Sequence, residues 1–443
     1  MLRRHSACFV RRMCLGGGAG QKGVFLRGMA SASLQAVETT SRIVAPRDGG
    51  SPSASGSWDR KVPWERSSLY GVDDLSGDVL EGFIDSEIAR FAPMVPRPLS
   101  MQEVLEMLEP ERIAKFLHVE VPVRYAERLR WIEQIPEWDT VPELRAVHTR
   151  HRNAFRDLRT VSRRPNLDAF TEVVKTVVDS QKDVQHDLAR AMHKLHMERG
   201  EEYGSTFADA WLDNMLLNCI GTETLMAQYL ACVQLAELGV DFQGGEGGRT
   251  FAAGVIDPQC KVADICRDVA QQVQELCEEH TGRSPMVKVE EHCDSGAAKF
   301  SYIPGFLRFI MTEILKNSLH ATAKIVRSDR ELQKRPISII VCADDHNVAI
   351  RVVDRAKGIP FEKVDKVWSY LYSTVKEKRG SDFAEKATPL AGYGVGLPLS
   401  RLYAKYLGGK LTLVSLPGYG TSVDIFLNRV DSQMVEIVPD DDA

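Results

Sequence analysis

The 443-residue chain contains no Cys-x-x-Cys pair, and its nine cysteines are scattered from Cys8 to Cys342. That spacing excludes a disulfide framework and a zinc site, and fits reduced, mostly buried thiols. No uninterrupted apolar run approaches the ~18 residues that a membrane span requires. A large charge of one sign is also missing. The net charge of -5 and isoelectric point near 6.2 give no sign of nucleic-acid binding. Acidic residues are absent before Glu38, whereas Arg3, Arg4, Arg11, Arg12, Lys22 and Arg27 are basic. A basic, acid-free start with broken apolar stretches has the profile of a mitochondrial transit peptide, expected over residues 1–38.

What is present then divides the chain. Residues 39–79 include "RDGGSPSASGSWDRK" and read as a flexible linker. From residue 80 to 240, apolar residues recur at i, i+3, i+4 spacing in long segments such as "LDAFTEVVKTVVDSQKDVQHDLARAMHKLHME". Breaks at Pro122, Pro136 and Pro165 suggest antiparallel helices and a four-helix-bundle-like domain. Five glycines between Gly239 and Gly248 interrupt the pattern. Residues 255–430 read as mixed α/β, with hairpins in "ISIIVCADDHNVAIRVVD" and "KLTLVSLPGYGTSVDIFL". An acidic tail, residues 431–443, ends in "PDDDA" and is expected to be solvated.

The segment "FIMTEILKNSLHATAK" carries chemistry. On a helix, Glu313, Asn317, His320 and Lys324 share one narrow face, with Ile310, Ile314, Leu315 and Ala321 turned toward a core. Standing alone, such a stripe suits an ordinary solvated face. Two further segments follow it. "VVDRAKGIP" sets Asp354 at a strand end before Gly358, where a carboxylate can accept a hydrogen bond from an exocyclic amine. "LAGYGVGLPLSRLYAKYLGG" alternates Gly392, Gly394 and Gly396 before Pro398, and glycines let backbone amides approach phosphate oxygens. Pro398 suits the first turn of a helix and Gly408 and Gly409 its end.

In this order, closed by "GYGTSVDIFL", the three segments resemble the GHKL superfamily, which includes histidine kinases, DNA gyrase and MutL. The resemblance implies an α/β sandwich (Bergerat type) that binds ATP, giving an α + α/β chain overall. It implies that Asn317 holds Mg²⁺ and that Lys316 and His320 lie beside the nucleotide. Asp354 would read adenine, supported by Gly358 and Thr421, and Gly392, Tyr393, Gly394, Val395, Gly396 and Leu397 would form the phosphate lid. A finer resemblance covers nearly the whole chain after the linker. "VPVRYAERL", "GVIDPQCKVADIC", "YIPGFLRFIMTEILKNSLHAT", "WSYLYSTV" and "GLPLSRLYAKYLGGKLTL" look like the mitochondrial pyruvate and branched-chain ketoacid dehydrogenase kinases. That likeness implies that Ser373 and Thr374 also touch ATP and that Glu313 is the catalytic base. It further implies a matrix serine kinase acting on the E1 subunit of a 2-oxoacid dehydrogenase, a lipoyl-bearing E2 docking partner, and a homodimer formed through the hairpin sheet.

The chain departs from the family pattern. Ala356 and Lys357 replace two glycines of the adenine-side turn, so restriction of the backbone at Ala356 and a rearranged turn are expected. His320 stands where arginine is usual, and Phe309 where pyruvate-directed kinases have histidine. The Asp-Trp tail motif is absent. Two other readings stay open: a histidine kinase using His186 in "VQHDLARAM", and a non-catalytic ATP-binding regulator.

Overall fold

The computed structural model describes residues 77–161, 167–239, 254–293, 299–326, 328–343, 347–372, 394–428 and 435–439. The expected transit peptide, and the linker up to residue 76, lie outside the described residues. Helix α1 (Gly77–Phe91) leads to the short α2 (Met101–Glu106). A capping box starts α2: the Glu103 amide donates to the Ser100 hydroxyl at 3.1 Å, and the Ser100 amide donates to the Glu103 carboxylate at 2.8 Å. Then come α3 (Pro110–Glu133), α4 (Pro142–Thr160), α5 (Leu167–Ser180), α6 (Val184–Arg199) and α7 (Ser205–Glu237). Proline opens α3 and α4, where its missing N–H costs nothing. α3 packs against α4 and α7, α5 against both of those, and α6 against α4. The 33-residue α7 is buried almost all round between Met215 and Tyr229 and forms the centre of the bundle.

One expectation for this region fails. Pro122 breaks nothing: it lies buried inside α3, whose packing against α4 and α7 outweighs the ~3 kcal/mol of an interior proline. The long apolar segment after Leu167 is two helices, divided at Ser180–Asp183, where Asp183 takes a left-handed φ of 69°. Pro165 lies outside the described residues.

The α/β part begins with a small antiparallel pair, β1 (Asp257–Lys261) and β3 (Lys299–Tyr302). A five-stranded sheet follows, built from β2 (Val287–Cys293), β4 (Ile337–Ala343), β5 (Asn347–Val353), β6 (Lys410–Leu416) and β7 (Gly420–Asn428). Its order is β2-β4-β5-β7-β6, parallel between β2 and β4 and antiparallel elsewhere. Alternation decides which face is buried. Ile337, Ile339 and Val341 share one face with Val348, Ile350, Val352, Val423, Ile425 and Leu427, and all are buried. Each such side chain contributes roughly 1.5–3 kcal/mol. Helices α8 (Val262–Thr281), α9 (Pro304–Ile325) and α10 (Gly396–Tyr406) cover that face, making a two-layer sandwich. On the other face Phe426, Val414 and Leu416 are exposed.

The tail is not uniformly solvated. Val435 bridges to Ser100, and the Glu436 side chain is buried against Arg124 and Tyr406. Among the described cysteines, five are buried, Cys293 is part-buried and Cys342 is exposed, all as free thiols. Among the described residues no helix is long and apolar enough to cross a membrane.

Candidate active site

Helix α9 positions the first group of side chains. Its core side buries Leu307, Ile310, Met311, Ile314, Leu315 and Leu319. Ala321, expected there too, is only part-buried, and Thr322 and Ala323 take the core positions. Along the open side Glu313 and His320 are part-buried, while Asn317 and Lys324 are exposed. Lys316 is buried beneath this stripe, and its ammonium donates to Glu313 Oε1 at 2.8 Å. The second carboxylate oxygen lies against Gly396 at the start of α10. A Cβ there would overlap Oε2 and stand 3.0 Å from Glu313 Cδ, so this contact needs glycine. Glu313 is thus held between the buried Lys316 ammonium and the first residue of α10.

His186 of α6 approaches the same group. Burial lowers its pKa, as does Lys316, while Asp183, Glu313 and Asp187 raise it. His320 is likewise shifted down, by burial and by the Lys324 charge, so it is neutral where arginine would be cationic. Phe309 packs its ring 4.9 Å from that of Tyr403 and serves the core.

The second group surrounds Asp354 at the end of β5. Its Oδ1 accepts the amides of Ala356 at 2.9 Å and Thr421 at 3.2 Å, and its Oδ2 accepts the Ser318 hydroxyl at 3.3 Å. An ionised carboxylate has about four lone-pair sites, so three donors leave one for a ligand amine. Burial raises the Asp354 pKa, and these three hydrogen bonds oppose the rise. The β6–β7 hairpin buttresses it closely: the Asp354 amide donates to the Thr421 carbonyl at 2.9 Å. A Cβ at Gly420 would overlap the Asp354 carbonyl. Ser415 completes the wall, sharing a hydrogen bond with Thr421 Oγ1 at 3.1 Å and accepting the Ile359 amide at 2.7 Å.

The turn after Asp354 corrects an expectation. Ala356 is not the restricted position; it is buried, with its amide on the carboxylate. The left-handed conformation falls on Lys357, at φ 63°, followed by Gly358 at φ 66°. Both ends of the Lys357 peptide are tied to the hairpin turn, with its amide on the Tyr419 carbonyl and its carbonyl on the Gly418 amide.

The third group is the glycine segment. Gly394 takes φ 86°, Val395 is buried, and Gly396 and Leu397 begin α10. Pro398 lies in its first turn, and Gly408 at φ 68° follows its last. Gly392, Tyr393, Ser373 and Thr374 lie outside the described residues. Among the described residues no group of three or more His, Cys, Asp or Glu side chains could hold a metal. The exposed amide of Asn317, one turn after Glu313, fits a hard cation that takes its remaining oxygens from phosphates and water. Periodicity missed Ser318, because its position on α9 belongs to the core side.

Comparison with known proteins agrees with this geometry. Residues 98–248 match the family model for the mitochondrial branched-chain alpha-ketoacid dehydrogenase kinase, and residues 303–431 the model for histidine kinase-, DNA gyrase B- and HSP90-like ATPases. The chain is 29% identical over 372 residues to a human mitochondrial pyruvate dehydrogenase (acetyl-transferring) kinase, isozyme 3, covering 80% of this chain and 88% of that one. It is 28% identical to isozyme 4 of Ictidomys tridecemlineatus, covering 84% and 90%. It is 26% identical to the corresponding Drosophila melanogaster kinase, covering 78% and 84%. With the helical region and the nucleotide region each matched, the comparisons support the mitochondrial pyruvate and branched-chain ketoacid dehydrogenase kinase family of the GHKL superfamily, and an enzyme of that kinase type.

Proposed function

We propose that this chain transfers the γ-phosphate of ATP to a serine of the E1 alpha subunit of a 2-oxoacid dehydrogenase complex in the mitochondrial matrix, inhibiting it. One observation carries the reading: the Glu313 carboxylate is held between Lys316 and Gly396, one helical turn from Asn317. Glu313 takes the proton from the attacking serine hydroxyl, and its contact with Lys316 at 2.8 Å keeps it aimed. Asp354 accepts the adenine amine on its remaining lone pair, and Gly394–Leu397 present backbone amides to the phosphates. Asn317 would hold Mg²⁺, which would neutralise charge at the phosphates.

The relatives' names point to pyruvate dehydrogenase, whereas the N-terminal family model is named for the branched-chain complex. The Phe309 position and the missing Asp-Trp motif leave both complexes as substrates to test. A lipoyl-bearing E2 is the docking partner by family. The exposed Val414, Leu416 and Phe426 beside edge strand β6 suit a homodimer through the sheet.

The test incubates the full chain with Mg²⁺, γ-labelled ATP and each purified E1. An acid-stable label on E1, reduced at least ~100-fold by Glu313→Gln with ATP binding retained, is the expected result. An acid-labile label on the chain itself, lost with His186→Ala, overturns it in favour of a phosphohistidine mechanism. ATP binding without transfer to any protein favours the regulator.

A further inference from the structure

Away from the base and the adenine wall, α7 turns a second pair of carboxylates toward the nucleotide region. Asp209 and Asp213 stand one turn apart on the same face. Asp209 Oδ1 accepts the Ser369 hydroxyl at 3.0 Å and the Tyr370 amide at 2.9 Å. Asp213 Oδ1 accepts the Tyr370 phenol at 2.8 Å. Between these elements lies a cleft of about 160 Å³, lined also by Asp365, Trp368, Pro398 and Arg401. The Arg401 guanidinium sits 4.5 Å from the centre of the Trp368 ring, joining α10 to the gripped segment. The two carboxylates therefore hold one segment directly and α10 through it, and α10 begins at the Gly396 that touches Glu313.

The grip costs electrostatic energy when both carboxylates are charged. Tyr370 is buried, and Asp213 and Asp209 are part-buried, of like sign and one helical turn apart beside the same cleft. Burial pushes the Asp213 pKa up to about 8, and the Asp209 charge acts in the same direction. The Tyr370 hydrogen bond and the Lys405 and Arg401 charges on α10 oppose the rise. Asp209 is raised by burial alone, against its two hydrogen bonds.

We infer that Asp209 and Asp213 are positioning residues that clasp the Ser369–Tyr370 segment, and with it the glycine-bearing start of α10, onto the helical bundle, and that the clasp closes with one proton held on the pair. With that proton bound, only one of the two carboxylates is charged and the repulsion vanishes. Without it, two part-buried anions one helical turn apart repel, and Tyr370 returns its phenol and amide to water. The closed form binds the proton more tightly than an open form in which Asp213 titrates near its ordinary value. Closure is therefore fully favoured in acid and weakens as pH rises through the closed-state value. The closing constant falls on the order of tenfold per pH unit up to about pH 8 and then levels off. Its effect on turnover rests on the nucleotide-site reading above; the clasp itself does not.

Hydrogen exchange of the Tyr370 amide in the full chain tests this between pH 6 and pH 9. At each pH the wild type is compared with Asp213→Asn, so that the intrinsic pH dependence of exchange cancels. Asparagine keeps a neutral acceptor for the phenol. The ratio of wild-type to Asp213→Asn exchange is expected to climb with pH and flatten above about 8, with Asp213→Ala fast throughout. The wild-type KM for ATP follows the same curve, and that of Asp213→Asn stays flat. A ratio independent of pH, or equal protection by Ala and Asn at this position, overturns the clasp. If Asp213→Ala does not fold, the comparison of wild type with Asp213→Asn decides alone. A rising ratio in a chain that fails to bind ATP would leave the clasp standing and remove the kinase reading. Phosphotransfer with a flat ratio would do the reverse.

Discussion

The wall around Asp354 and the seam between the helical bundle and the α/β part both depend on buried or part-buried carboxylates, and they satisfy them differently. Asp354 receives two backbone amides and one serine hydroxyl, all from elements of the same sandwich. At the seam Asp213 and Glu436 each meet a phenol. Tyr370 donates to Asp213 at 2.8 Å, and Tyr406 of α10 donates to Glu436 at 2.6 Å. Neutral donors fixed by a sheet make a wall that stays in place whatever the neighbouring region does. Donors carried across a seam hold only while the two sides remain together, so their strength follows charge. Glu436 is paired with Arg124, whereas Asp213 stands beside the like charge of Asp209, with the Lys405 and Arg401 charges of α10 acting against it. Both ends of the seam reach α10, the helix whose first residue touches Glu313.

The largest effect expected from this contrast is at the Glu436 end. Both side chains of the Arg124–Glu436 pair are about 1% exposed, and the Leu99 amide also donates to Glu436, at 3.3 Å. Glu436→Gln leaves Arg124 with only the Glu120 carboxylate, at 3.3 Å. Removing one partner of a buried pair costs about 3–5 kcal/mol, and the remaining Glu120 places this change near the lower figure. Urea denaturation measures it. A loss below ~1 kcal/mol would mean that the tail does not brace the seam. On the wall, Asp354→Asn is expected to keep the fold, because one amide oxygen can still accept Ala356 and Thr421. It turns a donor toward the adenine amine, however, and ATP affinity should fall about 10- to 100-fold by calorimetry. Affinity within twofold of wild type would show that Asp354 does not read the base.

How much of this was legible in the sequence depended on how local each contact is. The Glu313–Asn317–His320 stripe follows from the period of α9, and Asp354 from a strand that stops at a turn. The sandwich alternation of Val423, Ile425 and Leu427 was equally readable. Ser318 was not, since its contact with Asp354 crosses from a helix to a strand end on the side that periodicity assigns to the core. Asp209 and Asp213 look like the wet face of α7 until Tyr370 arrives from 157 residues away in the chain. The acidity of the tail suggested solvation, and only Arg124, 312 residues distant, makes burial of Glu436 affordable. Pro122 misled for the same reason, because a helix packed on two neighbours tolerates what an isolated one does not.

The smallest expected effect lies in the turn where the wall meets the hairpin. Lys357 is an exposed, non-glycine residue at φ 63°, a conformation that costs an L side chain roughly 1–2 kcal/mol. Its peptide is held there by the Tyr419 carbonyl at 3.2 Å and the Gly418 amide at 2.8 Å, so the backbone cannot relax without losing both bonds. Lys357→Gly removes the strain and gives back part of it as the extra freedom of glycine in the unfolded chain, about 0.5–1 kcal/mol. The net expectation is a gain of up to ~1 kcal/mol in urea denaturation, with the wall unchanged. A loss of stability instead would mean that the lysine side chain holds a contact of its own. The strain would then be kept because the side chain is needed beside the adenine turn, where strained residues gather for function.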